Sequence, residues 1–210
     1  CIVSCGSNRR ANAFLSHMDT LYQQNPAEAI HSIDSFMSCH NDMSQHNRML
    51  LTLYRLRAQN SVGEPFASDS LARKVVEYFD DNGSVEEQMS AYYVLGSVYR
   101  DLDNYPEALA DYQKAVALAD TTDGNKNNAF LNRVYGQMGD VLLSQLAFNE
   151  AGVAYSLAVR FACKDKDTLG VLLSKEQIAN ALYLQNRRDE ASKLREPLHD
   201  QYLKNGLVPE

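Results

Sequence analysis

Apolar residues recur every three to four positions from about Ala11 to Tyr202, and polar or Gly/Pro punctuation interrupts them at intervals that suit helical hairpins. The pattern predicts ten helices in five pairs. The first pair is Ala11–Gln23 and Pro26–His40, where Asn25 caps the second helix and Pro26 opens it, because its missing amide has no helical acceptor there. Ser44–Asn60 and Ala67–Asp81 form the second, with a longer joint through Val62-Gly63-Glu64-Pro65. Val85–Leu102 and Pro106–Ala119 form the third, opened by Ser84 and Glu87 in capping-box spacing. The fourth is Asn127–Gln145 with Asn149–Cys163, and the fifth Thr168–Gln185 with Asp189–Tyr202.

A Glu-Ala pair marks four of the second helices, at Glu28-Ala29, Glu107-Ala108, Glu150-Ala151 and Glu190-Ala191. Two copies share a longer pattern. Tyr92, Leu95-Gly96, Tyr99, Ala108, Tyr112 and Ala115 are matched at the same offsets by Tyr135, Met138-Gly139, Leu142, Ala151, Tyr155 and Ala158. This resembles the tetratricopeptide repeat, a unit of about 34 residues in two antiparallel helices. Gly96 with Ala108, and Gly139 with Ala151, stand where the helices of a hairpin cross, and small residues there let the axes approach. The resemblance implies an all-α fold, an α-α superhelix of about five antiparallel pairs over residues 11–204, with an N-terminal tether at 1–10 and a tail at 205–210. Most pairs begin about 40 residues apart, longer than the standard unit. The outer pairs depart from the pattern, with His17 where Gly is expected and Arg195 where an aromatic is.

Composition narrows the function. A net charge of −7 argues against nucleic acid as partner, because phosphate contacts need a basic face. No apolar run approaches the roughly 18–20 residues that span a bilayer. Four cysteines are too few and too scattered for a disulfide framework, and Cys39 and Cys163, beside Phe36-Met37 and Phe161-Ala162, read as small core residues. Cys1 and Cys5 differ. Ile2-Val3-Ser4-Cys5 resembles a bacterial lipobox, and the polar stretch from Gly6 to Asn12 suits a tether. Cys5 is then the lipidated residue, or Cys1 if the chain starts at its mature end.

No phosphate-cradling loop, nucleophile elbow or His-Glu-x-x-His helix is present. Cys39, His40, Asp42 and His46 are the densest group of metal-capable residues, yet they straddle a predicted helix end without an established ligand spacing, so no metal or cofactor and no enzymatic role are assigned. What remains is binding. In the tetratricopeptide family the first helix of each pair lines a concave groove. Carried over by that resemblance, the groove positions are Ser90, Tyr93, Ser97, Arg100 and Asp101 in the third pair, Arg133, Gly136, Gln137 and Asp140 in the fourth, and Glu176, Gln177 and Asn180 in the fifth. Arg55 and Gln59 follow in the second. Tyr93 with Arg100 and Arg133 combines an aromatic surface with guanidinium groups, a pairing enriched at binding hot spots. Tyr93 and Ser97 occupy the places of the Lys and Asn that grip a terminal carboxylate in chaperone-binding members, so such a clamp is not expected.

The organisation is similar to the exported tetratricopeptide lipoproteins and sensor-type proteins of Bacteroidetes. It implies a non-enzymatic protein- or peptide-binding scaffold, anchored through an N-terminal lipid in the bacterial cell envelope, periplasmic or surface-exposed. Two alternatives are an extracytoplasmic ligand-sensing domain of a membrane-bound regulator and a cytosolic adaptor.

Overall fold

At four helix starts a side chain takes up an orphan amide of the first turn. Asn25 accepts from the Glu28 amide, Ser44 from Asn47 and Asp167 from Gly170, and Ser84 and Glu87 bond reciprocally in a complete capping box. The computed structural model describes residues 2–119 and 126–207, with side chains from Asn8 onward apart from that of residue 19. Among the described residues there are ten α-helices: α1 Ile2–Gln24, α2 Pro26–Cys39, α3 Gln45–Ser61, α4 Ser70–Asn82, α5 Val85–Asp101, α6 Tyr105–Leu118, α7 Asn128–Ser144, α8 Phe148–Asp165, α9 Thr168–Leu184 and α10 Arg188–Lys204. The fold is all-α, of the helix-pair type expected.

Helix ends are equally regular. Gly63, Asp103, Leu146, Lys166, Asn186 and Gly206 all have φ between 55° and 72°. At each, the next amide reaches back across the turn and the residue's own amide reaches the carbonyl three before it, as in Ala147 N to Leu142 O at 2.9 Å and Leu146 N to Leu143 O at 3.0 Å. This is the Schellman closure, which satisfies the last carbonyls of α3, α5, α7, α8, α9 and α10.

The chain forms two compact units, Cys1–Asn104 and Tyr105–Glu210. In the first, α2 packs on α1 and α3, and α3 also meets α1, α4 and α5. Its core joins Ala11, Met18, Ile33, Met43 and Leu51, ringed by Phe14, Leu21, Phe36 and Tyr54. Val75 and Phe79 of α4, and Met89, Val94 and Val98 of α5, are also buried. In the second unit α7 packs against α6 and α8, and α9 against α7, α8 and α10. The buried stripe of α8 runs Ala151, Ala154, Tyr155, Ala158, Phe161, Ala162, so alanines on one helix face let a neighbour approach closely. Gly139 of α7 receives the Tyr155 ring itself: a Cβ built on Gly139 would stand 2.6 Å from Tyr155 Cδ1 and 2.7 Å from Cζ, with Cε1 nearer still.

Residues 2–10 open α1, and Asn8 is fastened across the unit, its Oδ1 accepting the Ser44 amide at 2.7 Å. Two expectations are corrected. Cys39 and Cys163 are exposed, since each lies in the last turn of its helix, beyond the buried stripe. Helix α4 begins at Ser70 and not Ala67. The Phe66 ring is buried and its amide bonds Asp101 Oδ2 at 3.2 Å, which holds the joint in an irregular path. Cys1 lies outside the described residues, and so does the side chain of Cys5.

Candidate binding faces on the first helices

The left-handed residue that closes each first helix supplies a common origin for α3, α5, α7 and α9: Gly63, Asp103, Leu146 and Asn186. Seven residues before it stand Leu56, Gly96, Gly139 and Ala179, all buried. Six before it stand Arg57, Ser97, Asp140 and Asn180, and three before it Asn60, Arg100, Leu143 and Tyr183. In this register Arg55 falls level with Leu95, Met138 and Ile178, on the face turned to the second helices and not on the groove face. Its contacts agree: Arg55 Nε donates to Asp34 Oδ1 of α2 at 2.6 Å, and its Nη1 to Gln59 Oε1 at 3.2 Å. Gln59 in turn donates to the Pro65 carbonyl. Arg55 and Gln59 therefore brace the first unit, and in this register it is Arg57 and Asn60 that stand level with Ser97 and Arg100.

Around Asn60 the first unit assembles a polar network. Asn60 Nδ2 donates to the Tyr93 hydroxyl at 3.3 Å, and Arg100 Nη2 donates to Asn60 Oδ1 at 3.1 Å. Arg100 also grips Asp101 Oδ1 through Nε at 2.9 Å and Nη2 at 2.7 Å. Asp101 thus ties Arg100 to the α3–α4 joint through the Phe66 amide. Tyr93 and Ser97, expected on an open surface, are both buried; Ser97 Oγ bonds the Tyr93 carbonyl at 3.0 Å. Both lie in the run of consecutive buried residues from Tyr93 to Val98, and the Tyr93 hydroxyl is held by Asn60.

The second unit is more open. Arg133 is exposed, Gln177 and Asn180 are half-buried, and none of the three has a hydrogen-bond or ion-pair partner among the described residues. Gln137 is half-buried and partnered. Asp140 is engaged within the hairpin, accepting the Tyr155 hydroxyl at 2.8 Å. Burial first, then the Asp140 carboxylate, pushes the Tyr155 phenol far above its ordinary value. Glu176 accepts Arg195 Nε at 2.7 Å, a bridge from α9 to α10. Gly136 of α7 has open space where a Cβ would be. Elsewhere in this unit a cleft of about 400 Å³ lies between α8 and α9, floored by Gly152, Val153, Leu157, Ile178 and Leu182. Its one sequence signal is Gly152, a helix-interior glycine that no packing contact requires.

The metal-capable residues of the α2–α3 joint separate. His40 stacks on Phe36 with centroids 4.2 Å apart and bonds the Phe36 carbonyl, while His46 turns to Glu87 at 3.3 Å. No group of three such side chains converges among the described residues.

The tetratricopeptide repeat family matches residues 90–121 of this chain. Among solved structures, a variant of the nearly identical TPR-like repeats of a kinesin-light-chain-type protein from Podosopora anserina is similar at 16 % identity and a TM-score of 0.70, covering 95 % of this chain and 97 % of that one. BtubC (BKLC) from P. vanneervenii follows at 12 % and 0.67, covering 97 % and 93 %, and the MamA protein at 18 % and 0.54, covering 95 % and 98 %. At such identities these likenesses show the fold: helix pairs of the TPR-like solenoid class. No curated protein matches the chain in sequence.

Proposed function

We propose that the protein is a non-enzymatic scaffold that binds a protein or peptide partner on the faces of its first helices. The observation that carries this is the set Arg133, Gln177 and Asn180, polar groups on α7 and α9 with no hydrogen-bond or ion-pair partner among the described residues. Polar donors with nothing to satisfy them at home are available to a partner's backbone or side chains. Proteins of the TPR-like fold commonly serve as protein-binding scaffolds, which supports the same reading.

The test is capture of partners from envelope extract on wild-type protein and on an Arg133→Ala/Asn180→Ala variant whose circular dichroism and melting match wild type. A partner retained by wild type and lost from the variant is the expected result, each hot-spot truncation costing on the order of 2 kcal/mol. Equal retention by both would move recognition to the second helices or the ends.

Envelope anchoring is the second part of the proposal, supported by Ile2-Val3-Ser4-Cys5 alone. Expression of the full-length gene in its host with a labelled fatty acid should tag the protein, and Cys5→Ala should remove the tag. Loss only in Cys1→Ala would shift the anchor to Cys1, and an unlabelled wild type would end this part.

A further inference from the structure

The chain carries 27 acidic against 20 basic residues, so an arginine without an acceptor is conspicuous. In α3, α4 and α5, Arg48 donates to the Asn41 carbonyl, Arg55 to Asp34, Arg73 pairs with Asp69, and Arg100 holds Asp101 and Asn60. Arg57 has no hydrogen-bond or ion-pair partner among the described residues. It is nevertheless held. Its Cζ lies 4.7 Å from the Tyr22 ring centroid and 5.3 Å from that of Tyr54.

A guanidinium held by aromatic rings and bonded to no acceptor keeps its N–H donors, and two oxygens of one anion match the edge of its fork. Tyr22 OH and Ser61 Oγ, 3.0 Å apart, add to the same end of α1 and α3. Ser61 stands four residues after Arg57, on the same side of the helix. Of the two hydroxyl protons one is used between the pair, and the other remains for a third oxygen. Half-burial beside two rings also removes side-chain freedom in advance, so less is lost when an anion arrives.

We propose that Arg57, clamped by Tyr22 and Tyr54 with the hydroxyls of Tyr22 and Ser61 beside it, is a preformed seat for an oxyanion carried by a peptide: a carboxylate or a phosphate. This rests on the reading of the first-helix faces as a peptide-binding surface, since Arg57 holds the groove position of α3.

Three fluorescent peptides test it on the full chain by anisotropy: alternating Glu and Gly, the same with Gln for Glu, and the same with phosphoserine for Glu. The Glu or the phosphoserine peptide should bind, the tighter of the two identifying the oxyanion, and the Gln peptide should not. Arg57→Gln should weaken that binding by about tenfold or more, and Arg57→Lys should fail to restore it, since an ammonium has neither the stacking plane nor the fork. Arg73→Gln should leave binding unchanged. In wild-type protein the Arg57 Nε–H resonance should move on titration with the binding peptide, a readout that no variant's folding can disturb. Equal binding of the Gln peptide, an unmoved resonance, or unweakened binding by Arg57→Gln would overturn the seat, as would failure of both acidic peptides. Partner capture that depends on Arg133 and Asn180 would survive any of those results, so the two readings fail separately.

Discussion

Gly139→Ala adds one methyl group, and its consequence is decided by Tyr155. The new Cβ would lie 2.6–2.7 Å from ring carbons that need about 3.5–4.0 Å, so the ring must retreat by about 1 Å. It has nowhere to go without loss: Tyr155 is 1 % exposed and its hydroxyl is bonded to Asp140. Overpacking of this kind costs about 1–3 kcal/mol. Against it stands the gain of about 1 kcal/mol from replacing Gly by Ala within a helix. The net expectation runs from neutrality to destabilisation of about 2 kcal/mol, with a melting temperature lower by roughly 2–4 °C per kcal/mol for a chain of this size. Gly139→Leu should exceed it. Gly136→Ala, three residues earlier in the same helix, meets open space and should stabilise instead by up to about 1 kcal/mol. The assay is urea unfolding followed by circular dichroism for both variants, each also made in a Tyr155→Ala background. Removing the ring should shift Gly139→Ala toward stabilisation while leaving Gly136→Ala unchanged. If Gly139→Ala stabilises the wild-type chain, the seating of Tyr155 on Gly139 described above is wrong.

Leu146 holds φ of 60° with 72 % of its surface exposed, so Leu146→Gly should relieve a left-handed cost of about 1 kcal/mol and raise the unfolding midpoint. The Tyr155 phenol is raised above its unfolded value of 10.0, so its contribution is complete below pH 10 and disappears as pH climbs beyond it. Absorbance at 295 nm should accordingly show one tyrosine in the native protein that ionises only on unfolding, and Tyr155→Phe should remove that late component. Ser84→Ala should cost about 0.5–2 kcal/mol in thermal unfolding by opening the capping box, and Ser84→Asp should recover most of it.

The helix pairs were legible along the chain, because helical period, caps and turn signals are local. Asn25, Ser44 and Ser84 each act within three residues of themselves; Asn25 and Ser84 cap as anticipated, and Ser44, read as the first residue of its helix, caps it instead. The need for a small residue at position 139 was legible too, but it was read against Ala151, and the group that fills the space is the Tyr155 ring. Which polar residues remain available was a matter for the folded chain. Tyr93 and Arg133 read alike as polar groups on first helices, yet Tyr93 is buried and Arg133 is exposed. The register of α3 was out of reach for a related reason. Arg55 and Arg57 differ by two residues, about 200° around a helix, and the repeat pattern is too weak there to choose between them. Asp34, distant in sequence, takes Arg55, and the rings of Tyr22 and Tyr54 hold Arg57. Partners of that kind depend on how helices from separate segments come together, and local periodicity contains no information about it.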